Sequence, residues 1–324
     1  MTAIASRTIR FHHHGEPADV LRLERTEVAD PGAARVRIRV AAVGLNPADW
    51  EVCRGFQAGG LPRGIGFDVA GTVDAVGEGV ADVASGDLVF GTADLMGQPS
   101  GGAADVAILR EWFAVPTGLD AVHAATLPMV VKTAVWTLDV MDVGPGTTLL
   151  IHGAGGMVGY AAVQIALQHG ARVVATAGPA LAADLESFGA LVTGYGDGMA
   201  RRVRELAGGD VDLVLDAPRP GEGTMPVLIE LAGGDPTRVV TISNHDEARR
   251  LGARVNLDEL LASGAFPDPG ILNDYAALAA RGGFRLPIAR AVPLGAWREA
   301  VALSVSGAPH GKVVLLPPED APAE

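Results

Sequence analysis

The sequence predicts an α/β protein that combines a mainly β first third with a doubly wound parallel sheet. Three observations favour this class. Short strand candidates between glycine-rich turns fill the first third of the chain, apolar strands alternate with helices from about residue 147, and a mixed segment from about residue 266 ends in a strand. At 324 residues the chain is about twice as long as a domain of about 150 residues, so two domains are expected.

The first third of the chain is predicted to be rich in β-strands. Residues 35–40 alternate basic and apolar side chains with a period of two, as a half-buried strand requires. Residues 69–76 and 86–91 are further short strand candidates between turns. Because no long helix interrupts this series, we expect a barrel-like or partly open antiparallel arrangement.

A second pattern begins near residue 120. Residues 119–141 have helical spacing, and residues 148–152 form a buried strand candidate before a glycine turn and a helix that ends near His169. Four more strand candidates follow at roughly the spacing of βαβ units: 172–176, 191–193, 211–215 and 239–243. This alternation is typical of a parallel, doubly wound sheet. The last strand is predicted at residues 312–316.

Composition and charge exclude several classes of protein. The formal net charge is −13, whereas a general nucleic-acid binder presents a basic face, so no nucleic-acid partner is expected. No apolar run approaches the roughly 18 residues of a membrane helix, and the N-terminus lacks the apolar core of a secretory signal. The single cysteine, Cys53, cannot form an internal disulfide or a cysteine-based zinc cage. We therefore expect a soluble, cytoplasmic protein without a membrane partner.

A glycine turn lies between the strand at residues 148–152 and the following helix. Gly153, Gly156 and Gly159 are spaced three apart, and Gly155 adds a further flexible position. Backbone N–H groups and the dipole at such a helix start favour a phosphate group, whose approach a side chain would block. The spacing departs from the strict G-x-G-x-x-G pattern, and a turn that only packs helix against strand is the alternative. Its place within a βαβ series favours a dinucleotide site.

The end of the next strand bears on the type of nicotinamide cofactor. A site selective for NAD usually places Asp or Glu about 20 residues after the glycines, where it binds the ribose 2′-hydroxyl. Here the strand ends Ala175-Thr176-Ala177-Gly178, and the first acid is Asp184. A missing carboxylate leaves room for a 2′-phosphate and favours NADPH over NADH, although neither Arg nor Lys occurs between Gly178 and Phe188.

Seven short segments are jointly specific in their order and spacing. They are 43–49 (VGLNPAD), 66–73 (GFDVAGTV), 76–80 (VGEGV), 86–87 (GD), 124–133 (AATLPMVVKT), 153–159 (GAGGMVG) and 310–315 (HGKVVL). Over nearly its full length the chain resembles the medium-chain dehydrogenase/reductase superfamily, and within it the zinc-free quinone oxidoreductase branch. The resemblance implies a GroES-like catalytic domain at residues 1–123, an inserted Rossmann domain at 124–265 and a return to the catalytic domain at 266–324.

The resemblance also implies a cleft between the two domains, hydride transfer from NADPH, and a homodimer. The cofactor-binding residues that it implies are Asn46, Thr133, Gly153, Gly155, Gly156, Met157, Val158, Gly159, Thr176, Ala177, Tyr195, Ala217, Ile242 and Ser243. Among these, Tyr195 matches a position that packs near the adenosine phosphate, and Thr133 matches one beside the nicotinamide.

Zinc is not expected, although alcohol dehydrogenases of this superfamily use it. The positions that match their catalytic zinc ligands hold Asn46, Phe67 and Met129, which lack the Cys and His donors that zinc requires. Asp68 is expected to be a structural hydrogen-bond acceptor. The four-cysteine structural loop is also absent from the sequence.

Without a Lewis acid, the acceptor carbonyl must be polarised by hydrogen bonds while the protein holds nicotinamide and acceptor in a reactive geometry. Asn46 is the first candidate for orienting the carbonyl, since the resemblance places it near nicotinamide and substrate; ordering the Asn-Pro turn is its alternative role. The proton comes from solvent, from Asp49 acting as a relay, or from Lys132. A lysine in a partly buried cleft can act as a general acid, although the ammonium of Lys132 can equally extend to water.

Three further residues are predicted to contact the acceptor. Trp50 stands where the resemblance leads one to expect a tyrosine or a smaller residue, and Met96 and Phe266 are expected to border the acceptor site. The leading hypothesis is therefore an NADPH-dependent, zinc-independent reductase of quinones or α,β-unsaturated ketones. A tailoring reductase or cyclase for one biosynthetic intermediate and a non-catalytic NADPH-binding sensor are the alternatives.

Overall fold

The computed structural model describes residues 3–56, 59–98, 100–218, 223–264, 268–307 and 310–317. Contacts within the chain divide it into two compact units. Met1–Met129 and Leu272–Glu324 form one of them, which we call the discontinuous unit, and Val130–Ile271 form the other, which we call the inserted unit. Phe266, a predicted acceptor contact, lies outside the described residues.

The strands of the described residues are β1 (Ile4–Phe11), β2 (Arg22–Val28), β3 (Val36–Gly44), β4 (Arg63–Gly64), β5 (Asp68–Val76), β6 (Leu88–Ala93), β7 (Val106–Ala114), β8 (Thr148–His152), β9 (Arg172–Thr176), β10 (Leu191–Thr193), β11 (Leu213–Asp216), β12 (Val239–Thr241), β13 (Arg254–Val255), β14 (Ile288–Pro293) and β15 (Lys312–Leu316). The α-helices are α1 (Pro17–Val20), α2 (Pro47–Arg54), α3 (Ala121–Ala124), α4 (Pro128–Val140), α5 (Met157–Gln168), α6 (Pro179–Phe188), α7 (Met199–Ala207), α8 (Thr224–Leu231), α9 (His245–Leu251), α10 (Asn256–Ser263), α11 (Ile271–Ala280) and α12 (Trp297–Ser306).

Two sheets build the discontinuous unit within the described ranges. A three-stranded antiparallel sheet has the order β2-β1-β4. The second sheet has the order β14-β15-β3-β5-β6-β7, and an additional antiparallel pairing of β3 with β7 closes four of its strands into a small barrel. This confirms the barrel-like arrangement predicted for the first third of the chain. The final strand, β15, pairs antiparallel with β3 and so brings residues near the C-terminus beside residues 43 and 44.

The discontinuous unit has one large apolar core. Strand β3 supplies Val36, Ile38 and Val40 at the two-residue period of a strand, and α2 and α12 add Trp50 and Trp297, which are almost fully buried. The core therefore holds together segments from both ends of the chain.

A six-stranded parallel sheet forms the centre of the inserted unit in the described residues, with the order β10-β9-β8-β11-β12-β13. Numbered within the unit, this is the order 3-2-1-4-5-6 of a Rossmann fold. The predicted doubly wound parallel sheet is thus confirmed. In such sheets a ligand binds outside the carboxyl ends of the strands where the strand order reverses, which here is between β8 and β11.

The helices of the inserted unit cover this sheet. Helix α5 is apolar along its length and buried from Gly159 to Ala166, because it packs beside the central strands. Helix α7 is strongly amphipathic and buries Met199 and Val203 while its arginines face outward. In the parts of the chain that the structure describes, every helix falls short of the length and apolar character that a membrane span demands.

Candidate functional site

The glycine turn joins β8 to α5 and accepts only glycine at two positions. Gly153 has a φ of +86°, and a Cβ atom built on it would lie 2.5 Å from Pro218 N. A Cβ on Gly159 would lie 2.6 Å from Gly153 O, because the helix start packs directly against the turn. The N-cap residue, Gly156, gives α5 no side-chain cap. The N–H groups of the first helical turn can therefore bind an anionic ligand.

A buried pair of polar side chains holds this turn in place. Thr176 Oγ1 accepts the N–H of Gly153 at 3.1 Å and lies 2.8 Å from His152 Nδ1, and Thr176 O accepts the N–H of Ala154 at 2.9 Å. Burial lowers the pKa of His152 to about 4, so its imidazole is neutral near pH 7. The Tyr195 ring packs edge-on against His152, with centroids 5.5 Å apart. The turn is therefore held in place by the buried, uncharged side chains of Thr176 and His152.

The carboxyl end of β9 is open and carries no acid. The N–H of Ala177 donates to Thr193 O at 3.0 Å, and Gly178 begins α6 without a side-chain cap. A Cβ atom on Gly178 would have nothing within 4 Å. The first acid, Asp184, lies within α6 and accepts a hydrogen bond from Tyr160 Oη at 3.1 Å. This edge of the sheet therefore has space for a bulky ribose substituent.

Strand β11 ends at Asp216, an acidic residue that the sequence analysis did not select. Asp216 is 3% exposed, and its Oδ2 accepts the hydroxyl of Thr241 at 2.8 Å. Burial raises the pKa of Asp216 to about 6. The adjacent residues are fixed by the same strand ends, since the N–H of Ala217 donates to His152 O and that of Ile242 to Asp216 O. Ser243 Oγ donates a short hydrogen bond to Pro218 O.

Most of the predicted cofactor residues thus meet at one edge of the parallel sheet. The residues at the carboxyl ends of β8 to β12 are Gly153, Gly155, Gly156, Met157, Val158, Gly159, Thr176, Ala177, Tyr195, Ala217, Ile242 and Ser243. Thr133 lies on α4, where its carbonyl accepts the hydroxyl of Thr137 at 2.7 Å. Asn46 belongs to the discontinuous unit. Their roles in binding a cofactor stay predictions.

Asn46 is the centre of a buried polar cluster in the discontinuous unit. Its Oδ1 accepts a hydrogen bond from Lys312 Nζ at 2.7 Å. Its Nδ2 donates to Asp68 Oδ2 at 2.9 Å and to Gly44 O at 3.0 Å. Asp68 Oδ2 also accepts the N–H of Met129 at 3.1 Å, which confirms Asp68 as a hydrogen-bond acceptor. These three side chains are buried, since Asn46, Asp68 and Lys312 are each less than 5% exposed.

Asp49 fixes the start of α2 in the same cluster. Its Oδ2 accepts the N–H of Asn46 at 2.8 Å and its Oδ1 accepts those of Gly66 and Phe67 at 2.7 and 3.2 Å, while the residue is fully buried. Burial raises the pKa of Asp49 to about 6. This geometry gives Asp49 a capping function, and the proton relay remains a prediction.

Lys312 is a functional candidate that the sequence analysis did not choose. Burial lowers the pKa of its ammonium, whereas the charges of Asp68 and Asp49 act to raise it. Since Nδ2 of Asn46 already donates both hydrogens, orienting a substrate carbonyl through this amide requires one of those bonds to open. Two signals in the sequence point to Lys312: the chain has only two lysines, Lys132 and Lys312, and Lys312 lies in the segment 310–315 that carries the family resemblance.

The other predicted contacts lie in different settings. Trp50 is buried and its Nε1 donates to Ser304 Oγ at 3.1 Å. Met96 is 61% exposed, and Lys132 is half-buried on α4. Their roles as contacts of the acceptor or as a proton donor stay predictions.

A zinc ion does not fit the residues at the positions of the superfamily's zinc ligands. Asn46 already accepts a hydrogen bond from the Lys312 ammonium, whose positive charge would repel a divalent cation. Phe67 has no donor atom, and the thioether of Met129 is a poor ligand for zinc. Throughout the described residues, no group of three or more His, Cys, Asp or Glu side chains could hold a metal ion.

Comparison with known proteins finds two family models that match successive parts of the chain. The family model of the alcohol dehydrogenase GroES-like domain matches residues 32–119, and that of the zinc-binding dehydrogenases matches residues 188–315. A quinone oxidoreductase of Pseudomonas aeruginosa is 34% identical over 212 residues, which are 63% of each chain. An erythronolide synthase of Saccharopolyspora erythraea is 36% identical over 193 residues, which are 57% of this chain and 5% of the synthase.

Both alignments cover less than two thirds of the relative's own length. A solved structure matches more fully: the CurK enoyl reductase has a TM-score of 0.79 and 26% identity, covering 97% of this chain and 99% of that chain. The two family models match residues 32–119 and 188–315 in chain order, and the structural match covers almost the whole chain. The chain therefore belongs to the medium-chain dehydrogenase/reductase superfamily.

Proposed function

We propose that this protein is a zinc-independent, NADPH-dependent oxidoreductase that transfers a hydride to a quinone or an α,β-unsaturated ketone. The observation that carries the proposal is the uncapped helix start after the glycine turn, which suits a dinucleotide phosphate. Asn46, at one of the three positions that match the superfamily's zinc ligands, instead accepts a hydrogen bond from Lys312. The similarity to a quinone oxidoreductase of Pseudomonas aeruginosa supports the acceptor class.

The choice of NADPH rests on the end of β9. Because Gly178 has open space around it and Asp184 is hydrogen-bonded to Tyr160, no carboxylate in the described residues of this strand end is placed to bind a ribose 2′-hydroxyl. The first turn of α6 carries no side-chain cap and favours the negative charge of a 2′-phosphate. NADPH is therefore proposed in preference to NADH.

The chemistry requires a hydride and a proton. Reduced nicotinamide, when bound, supplies the hydride, which adds to the β-carbon of an enone or to a quinone. The proton completes the saturated ketone or the hydroquinone. We assign the orientation of the acceptor to Asn46, whose amide is held by Lys312 and Asp68, and the proton to Lys132 or to solvent, with Asp49 as an alternative relay.

The test is to follow the absorbance of NADPH and NADH with benzoquinones, naphthoquinones and small enones as acceptors. Wild type is compared with Asn46→Ala, Lys132→Met and, as a surface control, Arg25→Gln. Turnover that prefers NADPH and falls in Asn46→Ala supports the proposal. Cofactor binding without oxidation by any acceptor contradicts it and favours a non-catalytic sensor.

A second candidate is a dedicated reductase for one biosynthetic intermediate. Two similarities favour it, the partial match to an erythronolide synthase and the full-length structural match to the CurK enoyl reductase. An enoyl thioester added to the same panel separates the candidates, since a dedicated reductase would turn over the thioester and leave the free quinones unreduced.

On the family resemblance we also propose that the protein is a cytoplasmic homodimer. Light scattering coupled to size-exclusion chromatography tests the dimer, since a monomer of 324 residues has half the expected mass.

A further inference from the structure

One guanidinium ties the loop that follows β10 to helix α7 in the inserted unit. This loop, residues 193–198, runs from the end of β10 to the N-cap of α7, and we call it the clamped loop. The guanidinium belongs to Arg202 on α7, and its acceptors are one hydroxyl and three backbone carbonyls. Arg202 donates from Nε to Thr193 Oγ1 at 2.8 Å, from Nη1 to Asp197 O at 2.7 Å, and from Nη2 to Gly194 O at 2.9 Å and Tyr195 O at 3.1 Å.

The clamped loop depends on these hydrogen bonds for its order. Gly196 and Gly198 have φ values of +79° and +72°, and Gly194 is a third glycine of the loop. Because glycine loses more conformational freedom on folding than any other residue, a loop rich in glycine needs contacts from outside to stay ordered. The planar guanidinium of Arg202 offers five N–H donors in a fixed arrangement, whereas the ammonium of a lysine has three donors and no plane.

Tyr195 extends from the clamped loop to the glycine turn. Its ring packs edge-on against His152, and a Cβ atom built on Gly155 would lie 3.9 Å from its hydroxyl oxygen. Burial raises the pKa of the Tyr195 phenol, while the side chain of Thr176 and the backbone of Gly155 act to lower it. Tyr195 is still 43% exposed, so a ligand can contact its ring. The phenol therefore lies beside the uncapped start of α5, where backbone N–H groups can bind an anion.

We propose that Arg202 is a positioning residue for dinucleotide binding, which holds the clamped loop so that Tyr195 forms one wall of the phosphate site at the glycine turn. Arg202 acts through the loop and does not itself contact the ligand. Strand β10 adjoins β9, at whose carboxyl end the ribose of the adenosine is expected, so this wall lies at the adenosine side of the cofactor. The inference rests on the proposed function for the presence of a dinucleotide, but it holds equally for NADPH and NADH.

Fluorine NMR tests the positioning without a ligand. Protein labelled with 3-fluorotyrosine carries three probes, Tyr160, Tyr195 and Tyr275, and the variant Tyr195→Phe assigns the resonance of Tyr195. We expect Arg202→Gln to shift this resonance and to leave those of the other two tyrosines, which are buried, unchanged. The matched control is Arg201→Gln, which removes the exposed neighbour on the same helix and should change none of the three. An unchanged Tyr195 resonance in Arg202→Gln would overturn the positioning.

Fluorescence titration with NADPH and with NADH measures the consequence for binding. We expect Arg202→Gln to weaken the binding of both by about tenfold, because ordering the loop then opposes binding. Arg202→Lys should weaken it less, since a lysine keeps the charge and some of the donors, and Arg201→Gln should bind as wild type does.

A double variant separates positioning from a purely structural role. If Arg202 acts through Tyr195, then Arg202→Gln should weaken binding by less than about twofold in a protein that already carries Tyr195→Ala. The same tenfold loss in both backgrounds would overturn the inference, as would a lower melting temperature of Arg202→Gln at unchanged affinity. If Arg202→Gln does not fold, as thermal unfolding would show, Arg202→Lys decides against wild type in the NMR and in the titration.

Turnover distinguishes this inference from the proposed function. With an acceptor that wild type reduces, Arg202→Gln should raise KM for NADPH and leave kcat as in wild type. Cofactor binding without reduction of any acceptor would contradict the proposed reductase, and the titrations would still decide on Arg202. Binding that is equally tight in wild type and in the Arg202 variants would overturn this inference alone, and a wild type that binds neither cofactor would overturn both.

Discussion

Lys312 Nζ donates a hydrogen bond of 2.7 Å to Asn46 Oδ1, and the two residues are 266 positions apart in the sequence. The bond joins the first residue of β15 to the N-cap residue of α2, inside a cluster that also buries the carboxyl groups of Asp49 and Asp68. One ammonium thus faces two carboxyl groups, whose charges act to raise the pKa of Lys312. The geometry of Asn46 consequently depends on a residue near the C-terminus.

Replacing Lys312 by Met is expected to lower the free energy of unfolding by about 3–5 kcal/mol, because it leaves buried carboxylates without their cation. Urea unfolding measures the change. Arg25→Gln, which removes an exposed charge, is the control and should change stability by about 0.5 kcal/mol or less. The double variant Lys312→Met with Asp68→Asn should recover part of the loss, because it removes one of the carboxylates. Additive losses in the double variant would contradict this account of the cluster.

The sequence predicted the inserted unit well because its signals are local. Apolar runs predict β8, β9 and β12, and the glycines between β8 and α5 are adjacent in the chain, so neighbouring residues alone predict the turn. The same reasoning could not predict the contacts of Lys312. Its importance comes from burial beside Asn46, which is distant in sequence, and no periodic pattern records that burial.

Arg37 shows how burial can depart from a correct strand prediction. The alternation at residues 35–40 predicts that the basic side chains share the exposed face of a half-buried strand. The strand is present, but Arg37 is 4% exposed, whereas Arg39 on the same face is exposed. Arg37 makes ion pairs with Asp74 on β5 at 2.7 Å and with Asp30 at 3.1 Å. The pairing of β3 with β5 brings Asp74 near, and the two acidic partners make burial of this charge tolerable.

Gly159→Ala is expected to weaken NADPH binding by about tenfold, because its Cβ would lie 2.6 Å from Gly153 O and displace the turn. Overpacking of this kind costs about 1–3 kcal/mol, which corresponds to that loss. Fluorescence titration with NADPH measures the affinity. Gly144→Ala is the control, since a Cβ at Gly144 has nothing within 4 Å. An affinity for NADPH equal to that of wild type would show that the turn does not contact the cofactor.

We expect the free energy of unfolding of the Asp216→Asn variant, relative to that of wild type, to increase as the pH rises from 4 to 7. The folded-state pKa of Asp216 is raised to about 6 from 3.8, so the folded protein binds this proton more tightly and loses stability as pH rises through that interval. Between pH 4 and pH 7, the difference in the free energy of unfolding between the variant and wild type should grow by about 2 kcal/mol. His152, with its pKa lowered to about 4, acts in the opposite direction in both proteins and cancels.

Urea unfolding at several pH values measures this difference. Asp246→Asn is the matched control, because the side chain of Asp246 is fully exposed. A difference between Asp216→Asn and wild type that does not change with pH would contradict a raised pKa at Asp216.

Gly178→Asp is expected to reverse the cofactor preference from NADPH to NADH. Gly178 has an ordinary φ of −72° and open space around its Cβ position, so the protein accepts an aspartate there without strain. The new carboxylate would lie at the strand end where acids bind the ribose 2′-hydroxyl, and it would repel a 2′-phosphate. Like charges about 4 Å apart near a protein surface repel by about 1–4 kcal/mol, so kcat/KM for NADPH should fall by about tenfold or more.

The matched control for this substitution is Gly144→Asp, which adds the same charge at another open glycine, before β8 and so at the opposite edge of the sheet. It should leave the ratio of kcat/KM for NADPH and NADH as in wild type. The ratio is informative because a general loss of folding or of turnover lowers both values together, whereas repulsion of a 2′-phosphate lowers only that for NADPH. An unchanged ratio in Gly178→Asp would mean either that the 2′-phosphate is bound elsewhere or that NADH is the natural cofactor. The preference of wild type separates these two explanations, because a wild type that prefers NADH has NADH as its natural cofactor.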